Sequence, residues 1–127
     1  MLSAAAERML EKVRAYGHVS FPELMRTYGE GAEGAFTMTL PQRPNMVLWA
    51  GMSEAFLDAF DEIGGWIEPA PAHILVYLAD GELLKMPIAR RPSKTQDYRR
   101  PHWIPVTFNV RRHWKPEAPE ARCVTVA

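Results

Sequence analysis

Gly17-His18-Val19-Ser20-Phe21-Pro22-Glu23-Leu24 decides how this chain is read. Gly17 is placed to stop a preceding helix, because glycine adopts the left-handed backbone of a helix C-terminus without a Cβ penalty. Ser20 and Glu23 have capping-box spacing: the serine hydroxyl can accept from the Glu23 amide, and the carboxylate can reach back to the Ser20 amide. Val19 and Leu24 bracket that cap as a hydrophobic staple. The stretch predicts a helix, a tight turn and a second helix.

Upstream, Leu2, Ala6, Met9, Leu10, Val13 and Tyr16 recur at helical spacing, with Glu7, Arg8, Glu11, Lys12 and Arg14 between them. Downstream, the second helix is predicted to reach about Tyr28 and to stop at Gly29 and Gly31. Phe36, Met38 and Leu40 alternate with threonines, Pro41-Gln42-Arg43-Pro44-Asn45 reads as a turn, and Met46 to Ala50 is a short apolar run. These predict a β-hairpin. Ser53 can cap a third helix, with Met52 and Leu57 as its staple, Phe56, Leu57, Phe60 and Ile63 as its buried face and Gly64-Gly65 as its end.

Beyond Gly65 the period changes to that of strands. Trp66 to Glu68 is read as a short strand broken by Pro69 and Pro71. His73 to Leu78 and Glu82 to Met86 flank Asp80-Gly81, a favoured hairpin turn. Arg90 to Arg100 has almost no apolar content and is read as a mobile basic loop. Ile104, Val106, Phe108 and Val110 alternate as a final strand, with Pro105 suited to a sheet edge. The expected fold class is α+β: three helices and a small antiparallel sheet with an inserted hairpin.

This order of elements, with Gly17-His18-Val19-Ser20 leading to Glu23-Leu24, resembles a winged helix-turn-helix domain over roughly residues 3–87. The resemblance implies DNA binding, with the third helix in the major groove and the hairpin wing on the backbone. A minority of such domains bind proteins instead. Two features depart from the family pattern. The segment 30–52 is inserted between the second and third helices. The third helix has no Lys or Arg and projects Glu54, Asp58, Asp61 and Glu62. Phosphates line both walls of a DNA groove, so an acidic helix is repelled there. The recognition role is therefore not carried onto these residues.

A chain of 127 residues, 47% apolar and 24% charged, has the size and composition of one globular domain. The expected division is one winged-helix-like domain over 1–115, including a basic segment at 85–115, and a loosely held tail at 116–127. No apolar run approaches the ~20 residues that span a bilayer, so no membrane partner is expected. The N-terminus lacks the layout of a secretion signal, and a single cysteine, Cys123, excludes an intrachain disulfide framework. A cytoplasmic protein is expected.

The charges balance overall but are segregated. Residues 1–84 carry five Lys/Arg against twelve Asp/Glu, whereas residues 85–115 carry nine Lys/Arg against Asp97 alone. Such asymmetry implies an electrostatic partner for one half. Lys85, Arg90, Arg91, Lys94, Arg99, Arg100, Arg111, Arg112 and Lys115 are candidate phosphate contacts. Tyr98, Trp103 and Trp114 lie among them, and Trp103 and Trp114 are the candidates for stacking on bases. The expected function is a non-enzymatic nucleic-acid-binding protein, DNA before RNA, in a regulatory or accessory role. The alternative is a protein-interaction module using the acidic third-helix face or the inserted hairpin. The basic stretch can also dock on the acidic surface of its own chain or of a second copy, or remain a solvated arm.

Other constellations are weaker. The carboxylates of the third helix read as a solvated face. His18, His73, His102 and His113 are scattered without metal-ligand spacing, and His102 beside Trp103 reads as a structural contact. Cys123 lacks a partnered base and reads as an inert thiol. Gly29, Gly31 and Gly34 lack the Lys-Ser/Thr of a phosphate loop. No catalytic residues, metal or cofactor are expected.

Overall fold

The computed structural model describes residues 2–89, 98–111 and the backbone of 124–125. Helix α1 spans Ala4–Tyr16 and α2 spans Phe21–Tyr28. Ser3 caps α1, its hydroxyl accepting from Ala6 N at 3.2 Å, and Gly17 ends it at φ +67°. The Ser20 hydroxyl accepts from Glu23 N at 3.3 Å, as the sequence predicts. The other half of the capping box does not form. The Glu23 carboxylate turns instead to Lys12 and Arg26, at 3.3 and 3.1 Å.

The inserted segment is a hairpin, longer than expected, of β1 (Glu33–Leu40) and β2 (Arg43–Met52). Its base is pinched shut. Ser53 N donates to Ala32 O at 2.8 Å and Ser53 Oγ donates to Gly31 O at 2.6 Å. A Cβ on Gly34 would lie 2.6 Å from Ser53 Cα, so glycine is required where the two ends meet. The insertion thus leaves and returns at one place, and α3 (Glu54–Ile63) still packs with α2 around α1. Ser53 Oγ also accepts from Phe56 N at 3.0 Å, capping α3 as predicted.

Strand β3 covers Ile67–Pro71 and runs through both prolines that were expected to break it. It pairs antiparallel with β5 (Val106–Val110). The N–H and C=O of Phe108 both bond to Val19 on the other side of β5. Pro69, opposite Phe108, therefore occupies a non-hydrogen-bonded site, and Pro71, two residues on, occupies another. Their missing N–H groups face an open edge, where proline is tolerated.

The expected hairpin at His73–Leu78 and Glu82–Met86 is absent. Ile74–Ala79 forms a fourth helix, α4, and the ladder position beside β3 belongs to β5. His73 Nδ1 accepts from Leu75 N, and Gly81 at φ +80° follows the helix, so Asp80-Gly81 acts as a helix terminator here. The final strand is also divided. His102–Trp103 (β4) runs parallel to β2, and after Ile104-Pro105 the chain passes into the second sheet as β5. Of the tail expected to be loosely held, Val124–Thr125 form β6, antiparallel to β1 at Thr37 and Met38, and the remainder lies outside the described residues. The result is a four-stranded mixed sheet, β4-β2-β1-β6, and the pair β3-β5 extended by Val19. The architecture is α+β.

An aromatic chain joins these layers. Trp103 meets Tyr77 edge-on at 4.9 Å and Trp49 at 5.7 Å, Trp49 stacks toward Phe21, and Phe21 meets Phe108 at 5.0 Å. Burial raises the Tyr77 phenol, so it stays protonated and donates to Val106 O at 2.6 Å, while Phe21 N donates to it. Tyr77→Phe leaves both backbone groups buried without that partner. The expected loss is about 1–3 kcal/mol of unfolding free energy, measured by urea denaturation.

Candidate nucleic-acid interface

The base of the basic segment is fixed by backbone hydrogen bonds. Trp103 N donates to Pro87 O at 2.8 Å, Ala89 N donates to Trp103 O at 2.9 Å, and Ile104 N donates to Val47 O at 2.8 Å. Residues 87–89 and 102–104 therefore lie side by side, and the chain between them begins and ends at one point. Asn45 Nδ2 donates to Tyr98 O at 2.6 Å and ties the returning limb to the start of β2. The acidic helix α3 begins beyond Met52, at the other end of that strand.

The candidate residues have different fates. Lys85, Arg99 and Arg100 are exposed, and none of them pairs with an acid among the described residues. Arg90, Arg91, Lys94, Arg112, Trp114 and Lys115 lie outside the described residues, as does most of the expected mobile loop. Trp103 is not a stacking residue. It is fully buried, and its Nε1 donates to Leu48 O at 3.2 Å. Arg111 is not a free cation either. Its side chain donates to the carbonyls of Gly64, Gly65 and Ile67, at 3.4, 3.2 and 3.1 Å, and so closes the turn after α3.

Beside these residues the fold brings together a pair that the sequence does not single out. The Tyr98 and His102 rings stack with centroids 3.7 Å apart and 18° between their planes, and both are half-buried. His102 Nδ1 lies 2.8 Å from Arg100 O. A carbonyl only accepts, so Nδ1 carries the hydrogen. The available sequence signal was two aromatic rings on either side of Arg99-Arg100-Pro101. It was masked by Trp103, the larger ring next in the chain.

The remaining electrostatics belong to the body of the protein. Arg26 pairs with Glu23, Asp80 and Glu82, at 3.1, 3.2 and 3.8 Å, and Ser20 Oγ donates to Asp80. Partial burial raises the Glu23 carboxyl, but Arg26 and Lys12 outweigh it and hold the group below its ordinary range. Its contribution to stability is present above the unfolded pKa and fades as pH falls through the folded one. On α3, Glu54 and Asp58 are exposed, and Glu62 accepts from Ser3 N and Oγ, at 2.7 and 2.9 Å.

An open hollow of about 960 Å³ lies between α2, the hairpin base and Gly81–Leu84. Its titratable lining is Arg26, Glu33 and Glu82, with Arg26 already engaged. Among the described residues no group of three His, Cys, Asp or Glu side chains could hold a metal ion, and no helix is long and apolar enough to cross a membrane. The chain matches no protein-family model, no curated protein and no solved structure.

Arg111→Ala is expected to cost about 1–3 kcal/mol of stability, because three carbonyls lose a charged donor. Arg99→Ala with Arg100→Ala is expected to stay within about 0.5 kcal/mol of the parent, as exposed unpaired sites do. Thermal melts of the two variants check this contrast.

Proposed function

We propose that the chain is a non-enzymatic nucleic-acid-binding protein of regulatory or accessory type, acting in the cytoplasm on DNA in preference to RNA. The observation that carries this reading is the state of Lys85, Arg99 and Arg100. They are exposed and unpaired among the described residues, whereas Lys12, Arg14 and Arg26 all face carboxylates. Free cations attract phosphate and release its counterions, and this term supplies most of the affinity of such proteins.

The scaffold supports the same reading. With the β1-β2 hairpin, α4 and β4 set aside, the order α1, Val19, α2, α3, β3, β5, with Val19 and β3 on either side of β5, resembles that of a winged helix. In chain order the basic limb falls between β3 and β5, as a wing does in such a domain, although α4 replaces the expected wing hairpin. In this proposal the limb makes the phosphate contacts, and the acidic α3 faces away from the ligand.

A second reading is a protein-interaction module. It is favoured by the exposed carboxylates Glu54 and Asp58 on α3, which no described Lys or Arg neutralises. A second copy offering its basic limb to that face would give a homodimer, visible by sizing at low salt and lost at high salt.

Titration of labelled DNA across salt concentrations tests the first reading. Log K is expected to fall linearly with log salt, by roughly 0.9 per duplex phosphate contact. The double variant Arg99→Ala, Arg100→Ala should flatten that slope by roughly 1–2. A parent protein that shows no binding at low salt, or a slope unmoved in the variant, sinks the assignment.

A further inference from the structure

We infer that Tyr98 and His102 form a stacking platform for an unpaired base, which makes the preferred ligand single-stranded DNA; this rests on the nucleic-acid reading above. The two rings lie parallel, 3.7 Å apart, and act as one slab. The slab is held from three directions. Asn45 holds the Tyr98 carbonyl at 2.6 Å, His102 Nδ1 donates to Arg100 O at 2.8 Å, and the His102 backbone, in β4, pairs with Met46 of β2. The next residue, Trp103, is anchored in the core.

Such a slab is preorganised, so little side-chain freedom is lost when a base joins it. Both rings remain half-exposed. The residues between them are Arg99, Arg100 and Pro101, and both arginines are exposed and without an acid partner among the described residues. A flat aromatic surface with two free guanidinium groups suits a strand that offers a base face and flanking phosphates together. In a duplex the base faces are already covered by their neighbours, so the aromatic slab gains nothing there. In a single strand the faces are open, and every base has one, so the contact tolerates any sequence.

The test is fluorescence anisotropy with labelled oligothymidylate and a labelled duplex of equal length, at one salt concentration. The parent protein is expected to bind oligothymidylate more tightly than the duplex. Tyr98→Leu keeps apolar bulk but removes the ring, and should weaken oligothymidylate binding by about fivefold to 150-fold. Its duplex affinity should change less than about twofold. Tyr98→Phe should behave like the parent, since the ring face remains. His102→Ala, at a half-exposed position, provides the same reading if thermal melting shows that Tyr98→Leu has lost the fold.

Salt-dependent binding of both probes with no effect of Tyr98→Leu or His102→Ala overturns the platform and leaves the nucleic-acid reading standing. A parent preference for the duplex does the same. Failure to bind either probe overturns both.

Discussion

The burial of Trp103 is the constraint on which the rest depends. Its indole is sealed against Trp49 and Tyr77, and its one polar atom is satisfied by Leu48 O. Its backbone bonds on one side to Pro87 and Ala89, while on the other its residue pairs with β2. A single residue thereby locks the base of the basic limb and joins the hairpin sheet to α4. The next two residues turn the chain into the second sheet. Moving that ring out to solvent would open a core cavity and strip three neighbouring segments of their partner. It is a structural residue even though it sits in the most positively charged part of the chain.

Features governed by nearby residues were legible in the sequence. Ser20, Ser53, Gly17 and Gly29 sit where their local chemistry puts them and mark the ends of α1, α2 and α3, while the hairpin followed from the alternation around Phe36, Met38 and Leu40. The misreadings share another cause, because they depend on partners far along the chain. Ile74–Leu78 is short enough to fit either period, and the ladder site that would have made it a strand belongs to β5. Pro69 and Pro71 are tolerated only because the register with Phe108 points them outward. Arg111 and Trp103 looked like binding residues because their chain neighbours are cationic, and only the folded structure shows the carbonyls and rings around them.

The charge pattern has a similar division. The acidic body satisfies part of itself through Arg26, which gathers three carboxylates from α2 and from the end of α4. That cluster ties the helix cap at Ser20 to Asp80 and reinforces the contact between distant segments. Arg99 and Arg100 have no such role among the described residues, and the same residue type serves architecture in one place and is left open to solvent in another. Counting charges along the sequence detects the imbalance but cannot tell these two uses apart.

The pairing of Val19 with Phe108 carries a consequence for how the molecule comes into being. Helices α1 and α2 emerge before β5 during synthesis, yet Phe21 finds one of its ring partners, and Val19 both its hydrogen bonds, on that later strand. The parts of α1, α2 and α3 that pack on β5 therefore stay uncovered until that strand arrives. Contacts so distant in sequence slow folding and lengthen exposure to misassociation. Truncation anywhere before β5 would leave Val19 without its backbone partner and β3 without its ladder.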